Sequence, residues 1–349
     1  MYRMQSLVTA TVMVLMAGSA VPASAQGSKI WENYDFVPGN RVIFFTDFSE
    51  DRVGNFARGL RFKSGPIEVV ERDGVKMLRA TGRGEFLIPV GRRLPDRFTL
   101  EIDAIVTNPL INDPISFEGG PTLDRGDKSA AVTWHPSGAY ILGSGQSAAG
   151  AVKVPEEVAQ EAIDQVAHIR VLMDSAYFKM YVNGRRLFNI PELAFRRDSV
   201  IRVFLIGVDE PDKALFLTSI RVAESETRVL YDALTTKGRW STQGILFATG
   251  KADLRPESRP VLKEIATTLK QHADLKILIE GHTDNVGSAP ANLALSRARA
   301  DAVKAALVAD WGIAEARVAA QGFGDTKPAV PNTTAAGRAQ NRRVEVVKQ

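Results

Sequence analysis

The chain has 349 residues, enough for two domains with separate cores, and its 45% hydrophobic and 24% charged residues are those of ordinary globular protein. A formal net charge of +4, spread along the chain with no basic run interleaved with aromatics, argues against nucleic acid as a partner. These residues include no cysteine, which excludes disulfides, thiolate metal sites and a lipid-modified cysteine among them.

Arg3, an apolar core from Leu7 to Ala17 and small residues ending in Ala23-Ser24-Ala25 predict a secretory signal peptide over 1–25, cut before Gln26. The alternative is an uncleaved membrane anchor, but the apolar core is shorter than the roughly 20 residues that span a bilayer. Residues 26–40 read as an extended, aromatic-bearing segment.

From 41 to 225 the pattern is strand-rich. Val42 to Phe45 is a candidate strand, and Ile67–Val70 with Val75–Leu78 flanks Asp73-Gly74 as Phe178–Val182 with Arg185–Phe188 flanks Asn183-Gly184. Both dipeptides are hairpin turns that need positive φ. Phe98, Leu100, Ile102, Ala104 and Val106 alternate with polar or small residues, as in a strand with one buried face. Ile201–Ile206 and Leu215–Val222 add two more strands, and only Glu156–Ala167 suggests a helix. Short strands with frequent turn signals predict an antiparallel β-sandwich. The competing expectation is a transmembrane barrel, whose strands should run about 10 residues with an outward apolar band and aromatic girdles. The Phe98–Val106 strand and the Tyr181–Arg185 turn resemble pieces of laminin-G or concanavalin-like jelly rolls, which implies a sugar-binding or adhesive module.

The polar stretch 226–240, with Thr235-Thr236-Lys237-Gly238, reads as a linker to a second domain over 241–349. Gly244–Phe247 is its predicted first strand, and Pro256 opens a helix whose Val261, Leu262, Ile265 and Leu269 share a face. Leu275, Ile277, Leu278 and Ile279 form a buried strand ending at Gly281-His282-Thr283-Asp284. In the next helix positions 296, 300, 303 and 307 make one stripe, with Asn292 and Arg299 at its edge. Arg317–Gly322 is a strand, part of Ala335–Gln340 a short helix, and Arg343–Val347 the last strand. Strands alternating with helices predict an α/β domain with a mixed sheet.

An arginine at the edge of an apolar stripe keeps its charge and needs a partner, and the strand-end carboxylate of Asp284 is near in sequence. One reading is a structural Asp284–Arg299 salt bridge. The other is a pocket in which Asp284 accepts from an ammonium and Arg299 grips a carboxylate, suited to a zwitterion.

The blocks Gly281-His282-Thr283-Asp284-Asn285-Val286-Gly287, Asn292-Leu293-Ala294-Leu295-Ser296-Arg297-Ala298-Arg299-Ala300, Gln321-Gly322-Phe323-Gly324 and Gly337-Arg338-Ala339-Gln340-Asn341-Arg342-Arg343-Val344-Glu345 resemble the C-terminal OmpA-like peptidoglycan-binding domain. The family includes the peptidoglycan-associated lipoproteins. The resemblance implies that Asp284 and Arg299 hold the free amino-acid end of diaminopimelate in the stem peptide, with Arg342 at the same pocket. Arg342 could equally clamp backbone, and Asn292 could orient ligand or cap its helix. Where many members read Phe-Asp this chain has Phe247-Ala248, which removes one carboxylate from the neighbouring loop.

Catalysis has little support. The four histidines, His135, His168, His272 and His282, make no metal-ligand spacing with one another. Glu101 and Asp103 resemble the start of the E-x-D-x-(x)-E strand of retaining glycosidases, but Ile105 or Val106 stands where the second catalytic carboxylate belongs. The expectation is a non-enzymatic, cofactor-free envelope protein of the periplasm or outer membrane that anchors to peptidoglycan, while the sandwich engages a glycan or an envelope protein. The alternatives are a barrel protein with the same anchor and an envelope glycan hydrolase.

Overall fold

The computed structural model describes residues 34–107, 111, 113–121, 129–143, 146–208, 210, 214–225 and 230–349. The predicted signal peptide lies outside them.

The N-terminal domain runs β1 (Arg41–Thr46), β2 (Arg61–Ser64), β3 (Ile67–Arg72), β4 (Val75–Ala80), β5 (Arg83–Pro89), β6 (Arg97–Val106), β7 (Ile115–Gly119), β8 (Ala130–His135), β9 (Gly138–Gly143), β10 (Gln146–Lys153), helix α1 (Glu156–Glu161), β11 (Val166–Asp174), β12 (Tyr177–Val182), β13 (Arg185–Ile190), β14 (Val200–Ile206) and β15 (Leu215–Glu224). One sheet has the order β13-β12-β11-β6-β15-β4-β3, with β1 also pairing β15, and the other β10-β9-β8-β7-β14-β5-β2. Every pairing is antiparallel.

Leu100, Ile102, Ile169 and Val171 from the first sheet share a core with Phe86, Ile88, Val132 and Val203 from the second. The domain is therefore a sandwich with its apolar side chains inward. A transmembrane barrel would place them outward. Asp73-Gly74 and Asn183-Gly184 adopt positive φ, at 53° and 75° and at 47° and 78°, which lets two-residue turns follow the strand twist. The predicted helix over Glu156–Ala167 stops at Glu161. Asp164 takes a left-handed conformation (φ 59°), and the chain turns into β11 at Val166.

The C-terminal domain comprises α2 (Leu230–Lys237), β16 (Arg239–Thr242), a 3₁₀ turn (Pro256–Ser258), α3 (Arg259–Gln271), β17 (Ile277–His282), α4 (Ala289–Ala309), β18 (Val318–Gly324), α5 (Ala335–Asn341) and β19 (Arg343–Lys348). Its sheet has the order β16-β19-β17-β18, with β18 parallel to β17 across the α4 crossover and the other pairs antiparallel. Two sequence expectations change here. The supposed linker contains α2, whose Leu230 and Leu234 enter the C-terminal core, and its polar residues are the outward side of that helix. The first strand is β16 rather than Gly244–Phe247, because Gly238 (φ 72°) turns the chain directly onto the edge of β19.

The stripe on α4 is buried as read, with Ser296, Ala300, Val303 and Leu307 each fully enclosed. Glycines bring that helix unusually close. A Cβ on Gly281 would lie 2.2 Å from the Ser296 carbonyl oxygen, and one on Gly322 2.3 Å from the Arg297 nitrogen. The backbone of α4 thus rests directly on β17 and β18, which fixes the height of Arg299 above the strand ends. No helix among the described residues is long and apolar enough to cross a membrane.

The two domains touch along the outer face of the β6/β11/β15 sheet. Tyr34 and Phe36, in the extended segment before β1, pack on Leu172 and Tyr181, while Val37 packs against the C-terminal core. This segment is a wedge between the domains.

Candidate functional site

The loop after β17 carries Asp284, which is almost fully buried. Its Oδ1 accepts from the backbone N–H of Val286 (3.0 Å), closing a local turn. Its Oδ2 accepts from Arg342 Nη1 at 2.6 Å. Asn292, one turn into α4, donates through Nδ2 to the carbonyls of Asp284 (3.2 Å) and Val286 (3.1 Å). The helix is preceded by Ser288, so Asn292 neither caps it nor faces the cavity: it clamps the loop that presents Asp284.

Arg299 does not bridge to Asp284. Its Nε donates to the Lys251 carbonyl (3.0 Å), and its guanidinium lies over the Phe247 ring, 4.9 Å from the centroid. Among the described residues no carboxylate lies within salt-bridge distance of it. The Lys251 carbonyl is aimed by a tight loop in which Ala248 N donates to the Asp253 carbonyl (2.9 Å) and Gly250 takes φ 67°. Burial, and next the charge of Arg342, hold the Arg299 pKa below its usual value, while Asp284 pulls the other way. A guanidinium placed so is short of anionic company.

Arg342 ends α5 just before β19, and its guanidinium lies between the Asp284 carboxylate and the Phe45 ring, 5.1 Å from the centroid. Arg299 and Arg342 open on a cavity of about 240 Å³, lined also by Phe247 and, from the sandwich, by Phe45, Glu101 and Arg221. Of the sequence-predicted residues, Arg299 and Arg342 share the cavity, Asp284 joins them through its bond to Arg342, and Asn292 stands behind that loop. Sequence reasoning missed Phe45 and the supporting roles of Phe247 and Lys251. Phe247 ends an apolar run that looks like any core segment, and Phe45 has no local signal at all.

The polar residues flanking the cavity on the sandwich side are tied into a network. Glu101 accepts from Arg221, whose Nη2 also donates to the Gly39 carbonyl (2.6 Å). Asp103 Oδ1 lies 2.7 Å from Arg170 Nη1 and 2.8 Å from His168 Nδ1, and Oδ2 accepts from Ser219 (3.0 Å). His168 Nε2 meets Arg255 of the C-terminal domain at 2.9 Å. Burial pushes the Asp103 pKa up, but Arg170 and His168 outweigh it and hold the carboxyl well below the usual range. A carboxylate so held stays ionised and serves as the anchor of this network.

A second polar group, on neighbouring positions of β17 and β19, comprises Glu280, His282 and Glu345, whose ligand atoms lie within 4.8 Å of one another. Both Glu345 oxygens already accept from arginines, Arg343 Nε at 2.7 Å and Arg239 Nη1 at 2.8 Å. The positive charge a metal ion would supply is therefore present as guanidinium. Burial, and next the charge of Arg343, push the His282 pKa down to about 4, so the ring is neutral. It stacks on Phe323 at 5.6 Å.

Comparison with known proteins places the match in this domain: the OmpA family matches residues 246–342. Outer membrane porin F of Pseudomonas aeruginosa is 41% identical over 101 residues, covering 29% of this chain and 29% of that protein. The peptidoglycan-binding protein ArfA of Mycobacterium tuberculosis is 42% identical over 103 residues, 30% of this chain and 31% of that protein. The chain thus matches under a third of the length of these curated relatives. The crystal structure of the peptidoglycan-associated lipoprotein from Burkholderia pseudomallei is 35% identical, covering 31% of this chain and 89% of that one, with a TM-score of 0.29.

Proposed function

We propose that the domain whose residues 246–342 match the OmpA family anchors the chain noncovalently to peptidoglycan by holding the free amino-acid end of diaminopimelate in the stem peptide. The observation that carries this reading is Arg299, whose fork has no carboxylate partner among the described residues and lines a cavity beside the Asp284–Arg342 pair. A carboxylate entering there would meet two guanidiniums, and the ammonium on the same carbon would find Asp284. ArfA, a peptidoglycan-binding protein that this domain resembles at 42% identity, supports the same reading.

The protein is then a binding protein rather than a hydrolase, exported by its signal peptide to the periplasm and associated with the outer membrane. The sandwich, of a laminin-G-like or concanavalin-like jelly-roll kind, takes a glycan or an envelope protein. A groove of about 270 Å³ on its β7/β8/β9/β14 sheet, lined by Tyr140, Leu142, Thr133 and Arg202, supports a glycan. Incubating the protein with isolated diaminopimelate-type sacculi tests the anchor. Co-sedimentation that free meso-diaminopimelate competes away, without release of muropeptides, is the expected result. Protein left in the supernatant would refute the anchor, and released muropeptides would restore the hydrolase.

A further inference from the structure

Arg299 and Arg342 are held in the same way, each guanidinium lying on a phenylalanine ring, at 4.9 Å and 5.1 Å. The ring under Arg299 is Phe247 of its own domain, but the ring under Arg342 is Phe45, at the end of β1 in the sandwich. We propose that the sandwich is a working wall of the stem-peptide pocket, with Phe45 as the residue that positions Arg342, so that the ligand is gripped between the two domains. This rests on the peptidoglycan reading of the site given above.

Several independent contacts hold that wall in place. The free edge of β1 is met by the side-chain amide of Gln340 on α5, which accepts from Val42 N–H (2.7 Å) and donates to the Asn40 carbonyl (2.6 Å), as a neighbouring strand would. Arg338, on the same helix, pairs with Glu50 just beyond β1. Arg342 follows directly, so the segment that docks the sandwich also carries the pocket arginine. Lower down, the Arg255–His168 contact joins the domains through half-buried Asp103 and its partner, the buried Arg170.

An arginine whose side chain is 38% exposed, as that of Arg342 is, would otherwise sample many rotamers, and a ligand would have to order it on binding. A ring beneath it removes part of that cost in advance and adds a cation–π attraction. The charge of the cavity agrees with this role. Glu101 and Arg221 neutralise each other on the sandwich side, so Arg299 and Arg342 leave a net positive cavity suited to a carboxylate.

Three substitutions of Phe45 in the full chain test the wall, read by titration with free meso-diaminopimelate, by sacculus co-sedimentation and by thermal unfolding. Phe45→Leu keeps the bulk and removes the ring face, and it should weaken binding about three- to tenfold, the range of one cation–π contact, with little change in melting temperature. Phe45→Ala should weaken it at least as much, and Phe45→Tyr should bind within about twofold of wild type. Wild-type affinity in Phe45→Leu would overturn the proposal, because bulk alone would then suffice. Tighter binding by Phe45→Ala would overturn it too, since the sandwich would be covering the pocket. Arg299→Ala and Asp284→Asn run alongside. If they lose binding while Phe45→Leu keeps it, only the wall fails; if they bind normally, the peptidoglycan reading falls and the wall falls with it.

Discussion

Asp284→Asn and Arg299→Ala separate a ligand pocket from a structural ion pair, because the geometry assigns each residue few structural duties. An asparagine at 284 keeps an oxygen to accept the Val286 N–H at 3.0 Å, so the turn survives while the charge is lost. The partner left behind, Arg342, has a side chain 38% exposed, and water can take over its solvation, so the stability cost should be about 1 kcal/mol or less. Arg299→Ala gives up one hydrogen bond to a carbonyl and one ring contact, together about 1–2 kcal/mol, partly offset by the better helix propensity of alanine. Ligand binding should suffer more. Each charge-assisted bond to the zwitterion is worth about 1.5–3 kcal/mol, so losing either partner should weaken sacculus binding tenfold or more. Arg299→Lys keeps the charge but loses the fork and the flat contact with Phe247, and it should also bind weakly. The assay is paired, with sacculus binding and thermal unfolding measured for each variant at one salt concentration. Normal binding with a clearly lowered melting temperature would refute the pocket, and wild-type affinity in Arg299→Lys would show that charge alone is read.

Gln340→Ala removes both hydrogen bonds to the edge of β1 and should speed amide exchange at Val42 while costing about 1–3 kcal/mol; unchanged exchange there would mean that Gln340 does not hold the wall. Gly281→Ala forces a Cβ to 2.2 Å from the Ser296 carbonyl, so α4 must lift from the sheet; a loss of about 2 kcal/mol or more in denaturant unfolding is expected, with weaker sacculus binding because Arg299 moves too. His282, neutral in the fold with its pKa lowered from 6.5 to about 4, should make the C-terminal domain lose stability as pH falls from 6.5 to 4, with no further loss from this group below. The sign follows because the unfolded chain takes up the proton first. Melting curves between pH 4 and 8 should be flatter for His282→Gln, and an unchanged slope would assign the acid sensitivity to other groups.

The strand end at Asp284 and the helical stripe beside Arg299 were legible in the sequence because local periodicity places residues within one strand–loop–helix unit. The pairing inside the site was not. Asp284 and Arg299 are close in the chain and so looked like partners, yet the carboxylate chose Arg342, 58 residues on, because the antiparallel return of β19 beside β17 brings the end of α5 to that loop. The same limit explains α2. Its polar residues resemble a linker, and only the later docking of Leu230 and Leu234 on a distant core makes a helix of it.

Strand β6 shows what periodicity leaves open. Its alternation correctly sends Phe98, Leu100 and Ile102 into the sandwich and turns Thr99, Glu101 and Asp103 the other way. A period of two says which residues share a face, but not what covers it. That face is closed off by the C-terminal domain, and Glu101 is only 9% exposed. Carboxylates in such a place cost desolvation that their arginine partners barely repay, so burying Glu101 and Arg170 beside half-buried Asp103 is a poor way to gain stability alone. What such pairs can supply is a fixed relative placement of two surfaces, because they tolerate only one register. A chain whose sandwich merely hung from an anchor would have no use for that fixity, whereas a pocket that takes Phe45 from one domain and Arg342 from the other depends on it.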